Sequence, residues 1–279
     1  MDIITTYCGR HKNHFNNRGI IVVFTRFFFI SIVLSLIVSL SACVTTNTGN
    51  APVPNPEKAH DAHLNLGLTY LQKDNREASR RHLEKALRLQ PDSAPAHNGL
   101  GMLYQLTGEM SLAETSFLRA IKEDAEFTQA NVSYGRFLFE QERYEEAYKY
   151  FEIATKDVSF QQRALALTYM GQTALMLDKK IKAKSLFDHA TNIDNKLSLP
   201  MIELAELYFD ENNYAKSKEY LDKYMEISGR TARSLWLGMR IERIFGNKDK
   251  EASYALALRN LHPYSKEYLS YKNELLKSN

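Results

Sequence analysis

From residue 59 onward, apolar side chains recur at three- and four-residue steps, the period of helices with one buried face. A longer period lies on top of this one. Gly67, Gly101, Gly135, Gly171, Ala205 and Gly238 follow one another at 34, 34, 36, 34 and 33 residues. Sixteen residues after each of the first four stands a large apolar residue, Leu83, Phe117, Phe151 or Phe187, followed by Ala86, Ala120, Ala154 or Ala190. The spacing predicts units of two helices, each of about 14 residues, joined by tight turns. Small residues fall where two helices cross, because a Cβ there would push the backbones apart. A lone pair of helices cannot bury such a face, so the units must stack. Breakers fall between the helices at Lys73-Asp74-Asn75, Thr107-Gly108-Glu109, Gln141-Glu142-Arg143, Asp178-Lys179, Glu211-Asn212-Asn213 and Gly246-Asn247. The 36-residue step predicts a longer turn around Val158–Gln162. Ser198 with Pro200 predicts a helix start, as cap and first-turn proline. Pro263 closes the sixth unit, and Tyr264–Lys277 reads as a helix that covers the end of the stack with a polar outside.

The period and the residues that mark it resemble the tetratricopeptide repeat (TPR). The resemblance implies an all-α fold, a right-handed superhelix of about six TPR helix pairs over residues 59–262 with a C-terminal capping helix in 263–279. In TPR proteins the first helix of each pair lines the concave side. By register the ligand-facing positions are Leu64, Leu68 and Leu71 in the first unit, and Asn98, Met102 and Gln105 in the second. Val132, Arg136 and Phe139 follow in the third, then Thr168, Gln172, Leu175 and Met176 in the fourth. Of these, Leu64, Leu68, Leu71, Met102, Gln105, Val132, Arg136 and Phe139 are the candidate partner-binding residues. Members that grip acidic C-terminal tails place Lys and Asn where this chain has Leu64 and Leu68. An apolar groove is expected instead, suited to an amphipathic helix or an extended apolar segment.

The N-terminus reads as an address. Phe27–Leu40 is an unbroken run of apolar or small residues after Arg26. At 1.5 Å per residue it spans roughly 21 Å, short of the ~30 Å hydrocarbon core. Basic flank, short apolar run and small residues after it make a secretory signal peptide over residues 1–42. An uncleaved anchor through residues 20–42 is the alternative. Leu40-Ser41-Ala42-Cys43 resembles the bacterial lipobox, which implies cleavage before Cys43 and lipidation of its sulfur. By the sorting rule of such lipoproteins, Val44 rather than Asp implies the periplasmic face of the outer membrane. Residues 43–58 are expected to be a lipidated tether, its stretch to Pro56 rich in Thr, Asn, Gly and Pro and unable to bury a core. Cleavage would remove Cys8 and leave one cysteine, which excludes a disulfide framework.

The net charge of +3 is an N-terminal effect. Residues 1–42 hold four of the 36 basic and one of the 33 acidic residues, leaving 32 of each, so no electrostatic footprint for nucleic acid remains. His60 and His63 could share a helix face, but two ligands with no third give no metal site. Glu203 and Glu206, or Glu145 and Glu146, read as solvated helix surface. No phosphate loop, nucleophile elbow or zinc-protease motif is present. The expectation is a protein without catalysis, cofactor or metal, working as a monomer.

Lipobox, tether and repeats together resemble the type IV pilus pilotin family, the PilF/PilW lipoproteins. The resemblance is closest in Tyr134-Gly135-x-Phe137-Leu138, in Arg143-Tyr144-Glu145-Glu146-Ala147 and in Phe151-Glu152-x-Ala154. Many members carry cysteines where this chain has Phe139 and Thr173, so their bridge is absent here. The family implies binding of secretin subunits of the type IV pilus and promotion of their outer-membrane localisation and ring assembly. The alternative expectation is a general TPR scaffold lipoprotein for cell-wall or envelope-assembly enzymes.

Overall fold

The computed structural model describes residues 55–278; the signal-peptide segment, Cys43 and the tether up to residue 54 lie outside them. Thirteen helices and no strand occur among the described residues. They are α1 (Pro56–Gln72), α2 (Arg76–Leu89), α3 (Ala94–Thr107), α4 (Met110–Glu123), α5 (Thr128–Glu140), α6 (Tyr144–Lys156) and α7 (Arg163–Met176). Then come α8 (Lys180–Ile193), α9 (Ser198–Asp210), α10 (Tyr214–Ser228), α11 (Ala232–Ile244), α12 (Lys248–Leu261) and α13 (Lys266–Ser278). The first twelve form six antiparallel pairs, and α13 follows as a single helix. The architecture is the all-α TPR superhelix.

Each pair is closed by one repeated contact. The small residue of the first helix receives the large residue sixteen positions later: Leu83 on Gly67, Phe117 on Gly101, Phe151 on Gly135 and Phe187 on Gly171. Tyr254 on Gly238 makes the same contact in the sixth pair, so that pair is formed like the others. In the fifth pair Ser217 Oγ donates to the Ala205 carbonyl (2.7 Å), as Ser79 Oγ does to Gly67 (2.9 Å). Both hydroxyls stand where the second, third and fourth pairs have Ala113, Ala147 and Ala183, and both are buried yet satisfied.

The turns inside the pairs are equally regular. One residue in each takes the left-handed conformation: Asp74, Gly108, Glu142, Asp178, Asn212 and Gly246. The next N–H then reaches a carbonyl five residues back, as Arg143 does to Leu138 (2.9 Å) and Lys179 to Ala174 (2.8 Å). This closes the helix with the bond pattern of a Schellman cap. The turn between α6 and α7 runs over residues 157–162, two longer than 124–127 and 194–197 at the flanking junctions. The extra length sits where the 36-residue step placed it.

Three boundaries differ from expectation. Helix α1 begins at Pro56, so 56–58 are helical and not tether. The Asn55 side chain accepts from the Glu57 and Lys58 N–H groups and caps the helix three residues before the apolar pattern starts. Ser198 is the first helical residue of α9, not its cap; Leu197 holds the cap position without a side-chain bond. The last helix starts at Lys266, and its outside is not wholly polar: Leu269 and Leu276 are exposed, as is Leu261 on α12. Arg243 ties this helix down through Glu274 (2.9 Å) while also pairing with Glu251 (2.6 Å).

A buried cluster runs from Phe117 through Phe137, Phe151, Met170 and Phe187 to Tyr208, joining the second to fifth pairs. Smaller clusters around Leu83 and Leu221 extend it at either end.

Candidate functional site

The first helices of successive pairs pack on one another, α1 on α3, α3 on α5, α5 on α7 and α9 on α11. That closeness makes them the inner layer of the superhelix, and their free faces line its hollow. The glycine crossings set how far each inner helix is turned, and so which side chains reach the hollow.

The eight candidate residues divide. Met102, Gln105 and Arg136 come together, with Leu106, Ser133 and Glu140, around a cleft of about 200 Å³ between α3 and α5. Gln105 Nε2 donates to Glu140 Oε2 across it (2.6 Å). The Arg136 guanidinium lies over the Tyr169 ring at 5.2 Å and has no carboxylate partner among the described residues. Leu106 in its wall is about half exposed, and so is Met176, at the equivalent repeat position of the inner helix α7.

Leu71 and Val132 do not belong to the surface. Leu71 is buried with Leu83, Leu100 and Leu103, and Val132 is buried in the main cluster, so neither can meet a partner. Leu64 and Leu68 are half-buried against the same leucines, and Leu68 Cδ2 stands 3.0 Å from where a Gly99 Cβ would be. Phe139 is half-buried and meets Tyr144 edge-on at 5.3 Å, within its own pair. The expected apolar groove is therefore corrected. Several leucines of the register are spent between repeats, and the open surface is mixed, with Met102 and Leu106 set among Gln105, Arg136 and Glu140.

A second hollow, of about 430 Å³, was not anticipated. It lies among α9, α11 and α13, with Phe209, Arg233, Trp236 and Arg240 in its wall. Arg233 is clamped by Glu206 (2.6 Å) and Glu203 (2.9 Å). Burial alone would lower the guanidinium's pKa, but these bonds outweigh it and hold the pKa above its usual value. Arg240 lies 4.1 Å over Phe209. Both Trp236 and Arg240 fall off the register positions used for the first three repeats, so the repeat pattern gave no signal for them.

The histidines have local uses. His60 Nε2 bonds Ser93 Oγ (2.9 Å), His63 and His82 share a contact between their Nδ1 atoms (3.0 Å), and His97 Nε2 donates to the Pro91 carbonyl (2.9 Å). Among the described residues no three histidines, cysteines or carboxylates converge as metal ligands.

An inner layer of first helices with a mixed, open hollow defines a TPR scaffold. Family models described as tetratricopeptide repeat match residues 64–126, 107–162 and 201–231. The chain is 34% identical over 246 residues to the type IV pilus assembly protein PilF of Pseudomonas aeruginosa, covering 88% of this chain and 98% of that protein. It belongs to the PilF family of TPR type IV pilus biogenesis proteins. A solved structure of Pseudomonas aeruginosa PilF superposes with a TM-score of 0.75 at 35% identity, over 78% of this chain and 99% of that one. PilW, described as a widely conserved type IV pilus biogenesis factor, shares the fold with a TM-score of 0.67 at 21% identity, over 76% and 97%.

Proposed function

We propose that the protein is an outer-membrane lipoprotein of the pilotin kind, which binds secretin subunits of the type IV pilus and promotes their localisation and multimerisation. The observation that carries this reading is similarity to a pilus assembly protein over almost its whole length, 98% of it, rather than over one repeat. The lipobox at Leu40–Cys43 supports the anchor, and the open hollow around Met102, Gln105 and Arg136 supports capture of a protein segment. Its mixed lining suits a segment with both apolar and charged side chains. The scaffold acts without chemistry of its own. Lipid attachment at Cys43 confines the chain and its cargo to one surface, which raises the effective concentration for ring assembly.

Deleting the gene tests the reading. Secretin multimers should disappear from the outer membrane and pili should be lost; undiminished multimers would refute it. Cys43→Ser should leave the repeats folded and misplace the protein.

A further inference from the structure

Lys179, Lys180, Lys182 and Lys184 fall within six residues at the start of α8, a run of positive charge with only Asp178 beside it. Lys184 is spent on Glu211 (2.6 Å), and Lys179 lies over the Tyr148 ring at 5.4 Å. Lys180 and Lys182 have no partner among the described residues. Between them stands Ile181, 85% exposed and the most exposed aliphatic side chain among the described residues.

The fold gains little from Lys180, Ile181 and Lys182. Ile181 buries little area, and cations at the start of a helix oppose its dipole. The first turn of α8 has neither an acidic residue nor a side-chain cap to offset them. At the opposite ends of the helix pairs, the junctions 90–93, 124–127 and 157–162 carry Asp92, Asp124, Glu126 and Asp157 and no cation. The body therefore has a basic corner where α7 turns into α8 and acidic turns on its far edge.

We propose that this corner rests on an anionic lipid surface. A soluble anion or a polynucleotide could neutralise the lysines but would leave Ile181 in water. A bilayer interface takes both, with lysines among the headgroups and the aliphatic side chain at the acyl boundary. Ile181 lies on a second helix, so such contact leaves the inner groove open. The inference rests on the reading that the chain works at a membrane, and not on what the groove binds.

Hydrogen exchange of the full chain on vesicles tests it. Amides at a helix start have no intrahelical acceptor and exchange fast when wet. On vesicles containing phosphatidylglycerol, amides 180–182, the ones without an acceptor in α8, should exchange at least about fivefold more slowly than on phosphatidylcholine alone, since each lysine near an anionic surface adds a roughly fivefold preference. Lys180→Gln with Lys182→Gln, or Ile181→Ser, should abolish the difference. Lys248→Gln with Lys250→Gln, the same charge change on α12, should preserve it. Equal exchange on both vesicles overturns the proposal. So does protection that arises on native envelope fragments but on neither vesicle, which would make the occupant a protein. Flotation with phosphatidylcholine vesicles reports the N-terminal anchor separately.

Discussion

The ring of Phe187 occupies the place where a side chain on Gly171 would begin: a Cβ there would stand 2.5 Å from Phe187 Cε1. The same relation holds at 2.6 Å for Gly101 with Phe117 and at 2.8 Å for Gly135 with Phe151. Because Phe187 is fully buried, its ring cannot swing aside. Overpacking of this kind costs about 1–3 kcal/mol, while alanine returns about 1 kcal/mol of helix propensity. Gly171→Ala should therefore lose roughly 1 kcal/mol in denaturant unfolding, and Phe187→Ala about 3–5 kcal/mol. A Gly171→Ala protein as stable as the parent would show that the crossing is looser than it stands here.

The left-handed turn residues make a prediction of opposite sign. Glu142 sits at φ 59° without an ion pair among the described residues, in a place that Gly108 and Gly246 fill in other repeats. Glu142→Gly should raise stability by about 0.5–1 kcal/mol, and Gly108→Ala should lower it by about 1 kcal/mol. Melting of the two variants against the parent decides it, and a loss from Glu142→Gly would contradict the backbone assignment.

Lys218 and Glu242 form an ion pair at 2.6 Å in which the carboxylate is 3% exposed and the ammonium 29%. Removing the cation leaves a buried, unpaired charge. Breaking a fully buried pair costs about 3–5 kcal/mol, and the half-open lysine places Lys218→Met nearer about 2–3 kcal/mol. Adding Glu242→Gln to it should recover part of the loss, which the double-mutant cycle measures.

Stability should fall with acid in two stages. Burial pushes the Glu114 carboxyl up, but hydrogen bonds from Arg143 and Tyr134 outweigh it and hold the group below its usual range. Bonds from Thr107 and Arg80 do the same for Glu109, and a bond from Arg143 does so for Glu146. Their contribution is complete above the ordinary carboxylate pKa of about 4.3 and disappears as pH drops through the lowered folded values. Arg143→Gln should flatten that limb of the Tm profile. His82 is lowered by burial first and by the charge of His63, Lys85 and Arg81 after it. The neutral ring is the folded form, so stability declines as pH falls from about 6.5 through the lowered value. His82→Gln should remove this earlier stage, and a profile unchanged between pH 7.5 and 5.5 in the parent would contradict it.

The stack was legible because a glycine and an aromatic sixteen residues apart specify a crossing directly. Even the long turn at 157–162 follows from one altered spacing. The groove was legible only in part. Register assigns Leu71 and Val132 to the inner helices correctly, but a few tens of degrees of helix rotation separate a hollow from a core, and sequence spacing does not resolve that angle. Both side chains turned inward, while Leu106 and Glu140, each one residue past a register position, turned out. The wall of Trp236, Phe209 and Arg240 escaped because its helices belong to the pairs where the repeat residues are least regular, and α13, which completes it, carries no repeat signature.

The most direct test of the central claim is photo-crosslinking in cells that carry the pilus system. A photoreactive residue would replace Leu106 or Met176 in the hollow, or Val158 in the turn outside it, where the side chain is 79% exposed. The account predicts secretin adducts from Leu106 and Met176 and none from Val158. Adducts to secretin from Val158 alone, or capture of cell-wall enzymes and no secretin at Leu106 and Met176, would contradict it.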